Sequence, residues 1–291
     1  MSSGLGAHLG LAVAVQPRLG CGAMSEGEPL IGEGVTQGIV RIGDTVRRPL
    51  RPFSLTVQAY LAHLRDAGFA GAPLPLGVDG QGREILSFVP GDVPLYPLPP
   101  AIAGDDVLAA LAGLIRALHE ASAGWVPPPG AVWGGTPAST GHITEHAELV
   151  SHRDYAPGNV VFRGGRPAAL IDFDLAKPTT RLYDIVNALW YWAPLRDPRD
   201  RSPALADADI PHRVAVFADA YGMTARQRAG LAPLAVDVVR RYHEDSRASA
   251  GLDPVFRTLW EDGAKVYLPR AEVWVRTAAP AITARLTARS S

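Results

Sequence analysis

The chain has 291 residues, with 28 Lys and Arg against 29 Asp and Glu and a formal net charge of -1. That balance gives no positive field to gather nucleic acid or an anionic membrane, so neither is an expected partner. A single cysteine, Cys21, excludes an intrachain disulfide and a multi-cysteine zinc site, and fits a reducing cytoplasm.

In chain order, the apolar stretch Leu9 to Val15 is too short to span a bilayer and lacks the preceding basic residue of a secretory signal. Residues 1–23, rich in Gly, Ala and Ser, are expected to be a disordered leader, with the working chain starting near Met24 at the head of an acidic run, Glu26 to Glu33. Next come two paired strands, Gly38 to Ile42 and Thr45 to Arg48, turning at Gly43-Asp44 and ended by Pro49. A helix from Ser54 to about Ala67 carries Val57, Tyr60, Leu61 and Leu64 at helical spacing, with Ser54 as its cap and Gly68 as its stop. Two further strands, 74–78 and 84–89, flank the Asp79-Gly80 turn.

Pro90-Gly91 and the prolines from Pro94 to Pro100 break the pattern and mark a hinge. Beyond it the chain reads as helical: a core helix from Val107 to Ala121, another over Asp184 to Trp192, and several more from Arg213 onward. Trp125 to Pro137 reads as an irregular loop. The expected organisation is an α+β chain with a small β-rich lobe over residues 24–91, hinge included, and a larger, mostly helical lobe over 92–291.

The chemistry is concentrated between Ser151 and Asp184. His152, Arg153 and Asp154 are followed after four residues by Asn159, the H-R-D-x-x-x-x-N spacing of a kinase catalytic loop, and Asp172 comes thirteen residues after Asn159. Val160 to Phe162 and Ala168 to Ile171 read as a hairpin joined by Arg163-Gly164-Gly165-Arg166-Pro167. Closing that hairpin brings Asn159 and Asp172 to its open end, where their oxygens suit Mg²⁺, a hard cation that keeps water and phosphate in its other positions. In extended chain Asp174 projects to the same side as Asp172 and adds a ligand for a second ion. Asp154 is the natural base for an attacking hydroxyl.

These residues resemble the aminoglycoside phosphotransferase and choline-kinase-like family, in which a catalytic-loop Asp and Asn precede an Ile-Asp-Phe-Asp metal motif, here Ile171 to Asp174. The resemblance implies a protein-kinase-like two-lobed fold, ATP or GTP with Mg²⁺, and a hydroxylated small molecule as acceptor of the γ-phosphate. It further implies Asp154 as base, Asn159 and Asp172 as metal ligands, and Asp184 as the residue that steadies the catalytic loop. Arg153 stands where that family often has Gly. Only nine residues separate Asp174 from Asp184, which leaves no room for the activation segment that docks protein substrates.

Two parts of the kinase pattern are missing. The only lysines, Lys177 and Lys265, lie beyond the small lobe, so the strand lysine is absent. Arg47 is taken as its substitute, with Arg48 the alternative because a slip of one residue swaps the faces of a strand. No Glu lies between Glu33 and Glu84, which leaves Gln58, His63 and Asp66 as polar candidates for the partner on the helix. Gly32 to Gly38 approximates a phosphate-cradling loop through Gly34 and Gly38, and Leu86 to Gly91 fits an adenine-binding connector through Ser87 and Phe88. For the acceptor, Trp190, Tyr191 and Trp192, with Asp197 and Asp200, Tyr242 to Asp245, and Trp260 to Asp262, supply aromatic and acidic groups suited to an aminated, polyhydroxylated ligand. The competing reading is a nucleotide-binding protein without turnover, suggested by the missing lysine and glutamate.

Overall fold

A computed structural model describes residues 27–30, 38–138 and 146–288. The leader, Met24 and Gly34 lie outside the described residues. The chain opens with β1 (Glu28–Pro29), β2 (Val40–Ile42) and β3 (Thr45–Pro49), continues through α1 (Ser54–Asp66), and returns as β4 (Pro75–Val78) and β5 (Arg83–Ser87). These five strands form one antiparallel sheet in the order β1-β2-β3-β5-β4.

Helix α1 covers the sheet because Val57, Tyr60, Leu61 and Leu64 share one buried stripe. Gly68 ends it in the left-handed region at φ 82°, where a side chain would be strained. Its cap differs from expectation. Phe53 is the capping residue, and Ser54 lies inside the first turn, where its buried Oγ accepts from the Arg51 amide and donates to Glu84.

After the proline-rich connector, α2 (Asp105–Ala121) buries Leu108, Leu111, Ile115 and Leu118 completely. Each is worth roughly 1.5–3 kcal/mol relative to exposure. β6 (Leu149–Ser151) leads into the catalytic loop, and the predicted hairpin forms as β7 (Val160–Arg163) and β8 (Arg166–Leu170). β9 (Lys177–Thr179) then pairs back onto β6, a two-stranded ribbon that the sequence pattern did not announce. The helical lobe is completed by α3 (Arg181–Trp192), α4 (Ile210–Tyr221), α5 (Ala225–Leu252), α6 (Pro254–Leu259) and α7 (Lys265–Thr287). Among the described residues, no helix is long and apolar enough to cross a membrane.

Contacts from α1 and from the connector hold the sheet lobe and the connector onto the helical lobe at the site. Tyr60 of α1 donates to the carbonyl of Val150 at 2.9 Å. Asp92 of the connector exchanges both backbone hydrogen bonds with Phe162 of β7, at 2.9 and 2.7 Å, and Gly91 beside it passes so close that a Cβ would stand 2.5 Å from the Phe162 carbonyl.

Candidate active site

The β7–β8 hairpin holds Asn159 and Asp172 at one end, as its spacing requires, and the Ile171 amide donates to the Asn159 carbonyl at 2.9 Å to close that end. Asn159 Nδ2 donates to Asp154 Oδ2 at 2.8 Å, which fixes one carboxylate oxygen, and the Tyr191 hydroxyl stands 3.4 Å from the other. With Nδ2 so engaged, the buried Oδ1 of Asn159 has no hydrogen-bond donor among the described residues. A buried amide oxygen left in that state is costly and fits a cation. Together with the carboxylates of Asp172 and Asp174 it gives an all-oxygen donor set, the chemistry that Mg²⁺ takes. Burial, and next the charge of Asp174, push the Asp172 carboxyl well above the usual range against the opposing pull of Arg48.

The catalytic loop is held from below by Asp184. Its Oδ2 accepts from His119, Ser151 and Tyr155 at 2.7, 2.7 and 2.5 Å, and these bonds outweigh burial to keep the carboxyl below its ordinary value. His152 is wholly buried, which lowers its pKa to about 4, and the neutral ring donates through Nε2 to the Ile171 carbonyl while Nδ1 accepts from the Asp154 amide. Arg153 has φ 66° and Asp172 has φ 62°, left-handed conformations that cost non-glycine residues about 1–3 kcal/mol. The first accounts for the Gly that the resemblance gives to this position. The Arg153 side chain offsets part of that cost with a 3.0 Å bond to Thr179 Oγ1 and by stacking over Tyr183.

Of the two arginines of β3, Arg48, the alternative, enters the cleft, and Arg47, the expected choice, does not. β3 presents Val46 and Arg48 to the cleft and turns Thr45 and Arg47 to the opposite face, where Arg47 meets Thr45 Oγ1 at 2.6 Å and Asp79 at 3.6 Å. Arg48 is buried and its Nε lies 2.5 Å from Glu84 Oε2, while its Nη1 lies 2.7 Å from Asp174 Oδ1, off the direction of a hydrogen bond. Burial disfavours the guanidinium charge, but Asp174, Glu84 and Asp172 outweigh it and raise the pKa. Nη2 of Arg48 is also buried and has no acceptor among the described residues.

The partner of the cation comes from a strand rather than a helix. Glu84 is the register partner of Arg48 across β3 and β5, and is fully buried. Of the three helix candidates, Gln58 supports Glu84 through a 3.2 Å bond to Oε1, His63 binds the Ala121 carbonyl, and Asp66 is exposed. Ser87 and Phe88 line the cleft with Leu30, Val46 and Val93, but their amides are already given to the Leu74 and Asp44 carbonyls, so neither donates to a base. Gly38 is exposed at φ 80° before β2.

On the far side of Asp154 lies a second pocket, lined by Trp190, Tyr191, Tyr242 and Asp245 among the expected residues. Trp192 is instead buried against the Tyr155 carbonyl, Asp197 caps its own turn, and Asp200 pairs with Arg270. Trp260, Glu261 and Asp262 do not line it. Groups not expected there do, among them Arg153, Lys177, Asn187 and the loop at Gly135-Thr136. That loop packs so tightly on the metal motif that a Cβ on Gly134 would stand 1.9 Å from the Asp174 carbonyl.

The model of the phosphotransferase enzyme family matches residues 135–234, the stretch that carries this catalytic loop, hairpin and metal motif. The trifolitoxin immunity protein of Rhizobium leguminosarum bv. trifolii is 32% identical over 206 residues, 69% of this chain and 76% of that protein. The chain belongs to the phosphotransferase enzyme family. Its fold is that of protein-kinase-like small-molecule kinases. A choline/ethanolamine kinase family protein from Mesorhizobium loti superposes with TM-score 0.58 at 15% identity, over 88% of this chain and 90% of that one. A microcompartment-associated aminopropanol kinase superposes with TM-score 0.50 at 14% identity, over 91% of each. As in its family, the phosphotransferase pattern here joins a sheet lobe to a helical lobe at a cleft.

Proposed function

We propose that this phosphotransferase moves the γ-phosphate of ATP or GTP onto a hydroxyl of a small molecule, with the sheet lobe, residues 24–91, taking the nucleotide and residues 92–291 supplying the chemistry and the acceptor. The observation that carries this reading is the convergence of Arg48, Asp154, Asn159, Asp172 and Asp174 between two pockets, one apolar and one lined by charged groups of both signs.

Asn159, Asp172 and Asp174 would hold Mg²⁺, which neutralises phosphate oxygens. Arg48, kept charged by its carboxylates, offers Nη2 to a phosphate oxygen. Asp154, oriented by Asn159, takes the acceptor's hydroxyl proton as the oxygen bonds to the γ-phosphorus and the bond to the bridging oxygen of the departing diphosphate breaks. The alternative without turnover is the less favoured reading, since Arg48 and Glu84 supply from two strands the charges whose absence suggested it.

The test is nucleoside diphosphate release across hydroxylated acceptors with Mg²⁺, in the wild type and Asp154→Ala. The variant is expected to lose about 10² to 10⁴ in turnover and to keep its nucleotide affinity. Near wild-type turnover would remove Asp154 from the reaction.

A further inference from the structure

Beside the proposed base, the acceptor pocket contains two cations. Lys177, on β9, is 7% exposed, and Arg153 follows the catalytic-loop histidine. Lys177 lies three residues past Asp174, which sets it on the acceptor side of the metal motif. The pocket's carboxylates are Asp245 and Asp154, and Asp154 is engaged with Asn159 and the incoming hydroxyl. Burial and the neighbouring Arg153 both lower the Lys177 pKa, to about 8, with only Asp245 acting in the other direction. An ammonium that burial strips of water, that feels a second cation and that has Asp245 as its one attractive carboxylate gains from an anionic ligand.

A cationic acceptor is poorly served here. Ammonium groups are held by carboxylates or by open aromatic faces. The Tyr183 ring already carries the Arg153 guanidinium at 4.0 Å, and the Trp190 ring carries that of Arg196 at 4.1 Å. Those two rings therefore hold the protein's own cations, and of the pocket's other two, Tyr191 is buried and Tyr242 packs against Trp190.

We propose that the acceptor bears an anionic group, carboxylate or phosphate, beside the hydroxyl that is phosphorylated, and that Lys177 and Arg153 bind it. This rests on the pocket beside Asp154 being the acceptor site, and it selects hydroxy acids or phosphorylated alcohols over amino alcohols and aminoglycosides.

The experiment titrates the full chain by calorimetry, with Mg²⁺ and ADP present, using four alcohols of one skeleton: glycerate, glycerol 3-phosphate, glycerol and 3-amino-1,2-propanediol. Phosphorus NMR with Mg²⁺-ATP follows transfer to each in parallel. At least one anion is expected to bind about tenfold or more tightly than glycerol and the amine, and which one does separates carboxylate from phosphate. Lys177→Met should weaken that anion about 10- to 100-fold, the range of a charge-assisted contact, and Lys177→Arg should retain most of the affinity. Binding of the amine as tight as that of the tighter anion, no measurable binding of both anions, or affinity for the tighter anion unchanged in Lys177→Met would overturn the proposal. Anion binding as expected without transfer from nucleotide leaves the anion site standing and removes the kinase reading. Transfer to the amine with no anion preference does the reverse.

Discussion

Arg48 and Glu84 face each other across β3 and β5 and meet at 2.5 Å with both side chains out of solvent. A cation on one strand is thus held by an anion on the next, without help from a helix glutamate. The geometry is rigid because sheet register fixes both residues at once.

Removing one member of such a pair leaves the other charged and buried. Arg48→Met and Glu84→Ala are each expected to lower stability by about 3–5 kcal/mol, measured by urea denaturation, whereas Arg47→Ala on the opposite face should change it by less than about 1 kcal/mol. Arg48→Lys should fold but weaken nucleotide binding, since a point ammonium cannot span Glu84 and Asp174 together.

His152 sets an acid limit on the fold. Its folded pKa, about 4, lies below the ordinary 6.5, so the unfolded chain takes up the proton first as pH falls. The stabilisation from the neutral buried ring is complete above pH 6.5 and declines towards pH 4, by roughly 3 kcal/mol in all. Thermal melts between pH 7 and 4.5 should show this slope, and His152→Gln, unable to titrate, should flatten it.

Gly134 is expected to control the metal motif from outside it. A methyl group there would collide with the Asp174 carbonyl, so Gly134→Ala must push either the loop or the motif away. The expected result is a loss of about 1–3 kcal/mol in stability and a raised Mg²⁺ requirement for turnover, read from rates against Mg²⁺ concentration.

The catalytic segment was legible in the sequence because its geometry is local. Asn159 and Asp172 are joined by one hairpin with a Gly-Gly turn, so spacing alone brings them together. Arg48 was not separable from Arg47, because the face of β3 is set by pairing with β5 nearly forty residues away, which no local pattern records. Glu84 escaped for a related reason: the kinase pattern looks for a glutamate on the helix, and here the same charge arrives from the neighbouring strand. The β6–β9 ribbon, three residues on each side, is too short for alternation to reveal, so the cation at Lys177 stayed hidden with it.

The reciprocal backbone bonds between Asp92 and Phe162 sew the interlobe strap to the catalytic hairpin. If the sheet swings to admit a nucleotide, its fulcrum therefore sits on the sheet side of Asp92, where the strap leaves its anchor. Asn159 and Asp172 would stay mutually fixed throughout such a stroke, while Arg48 is the group that travels.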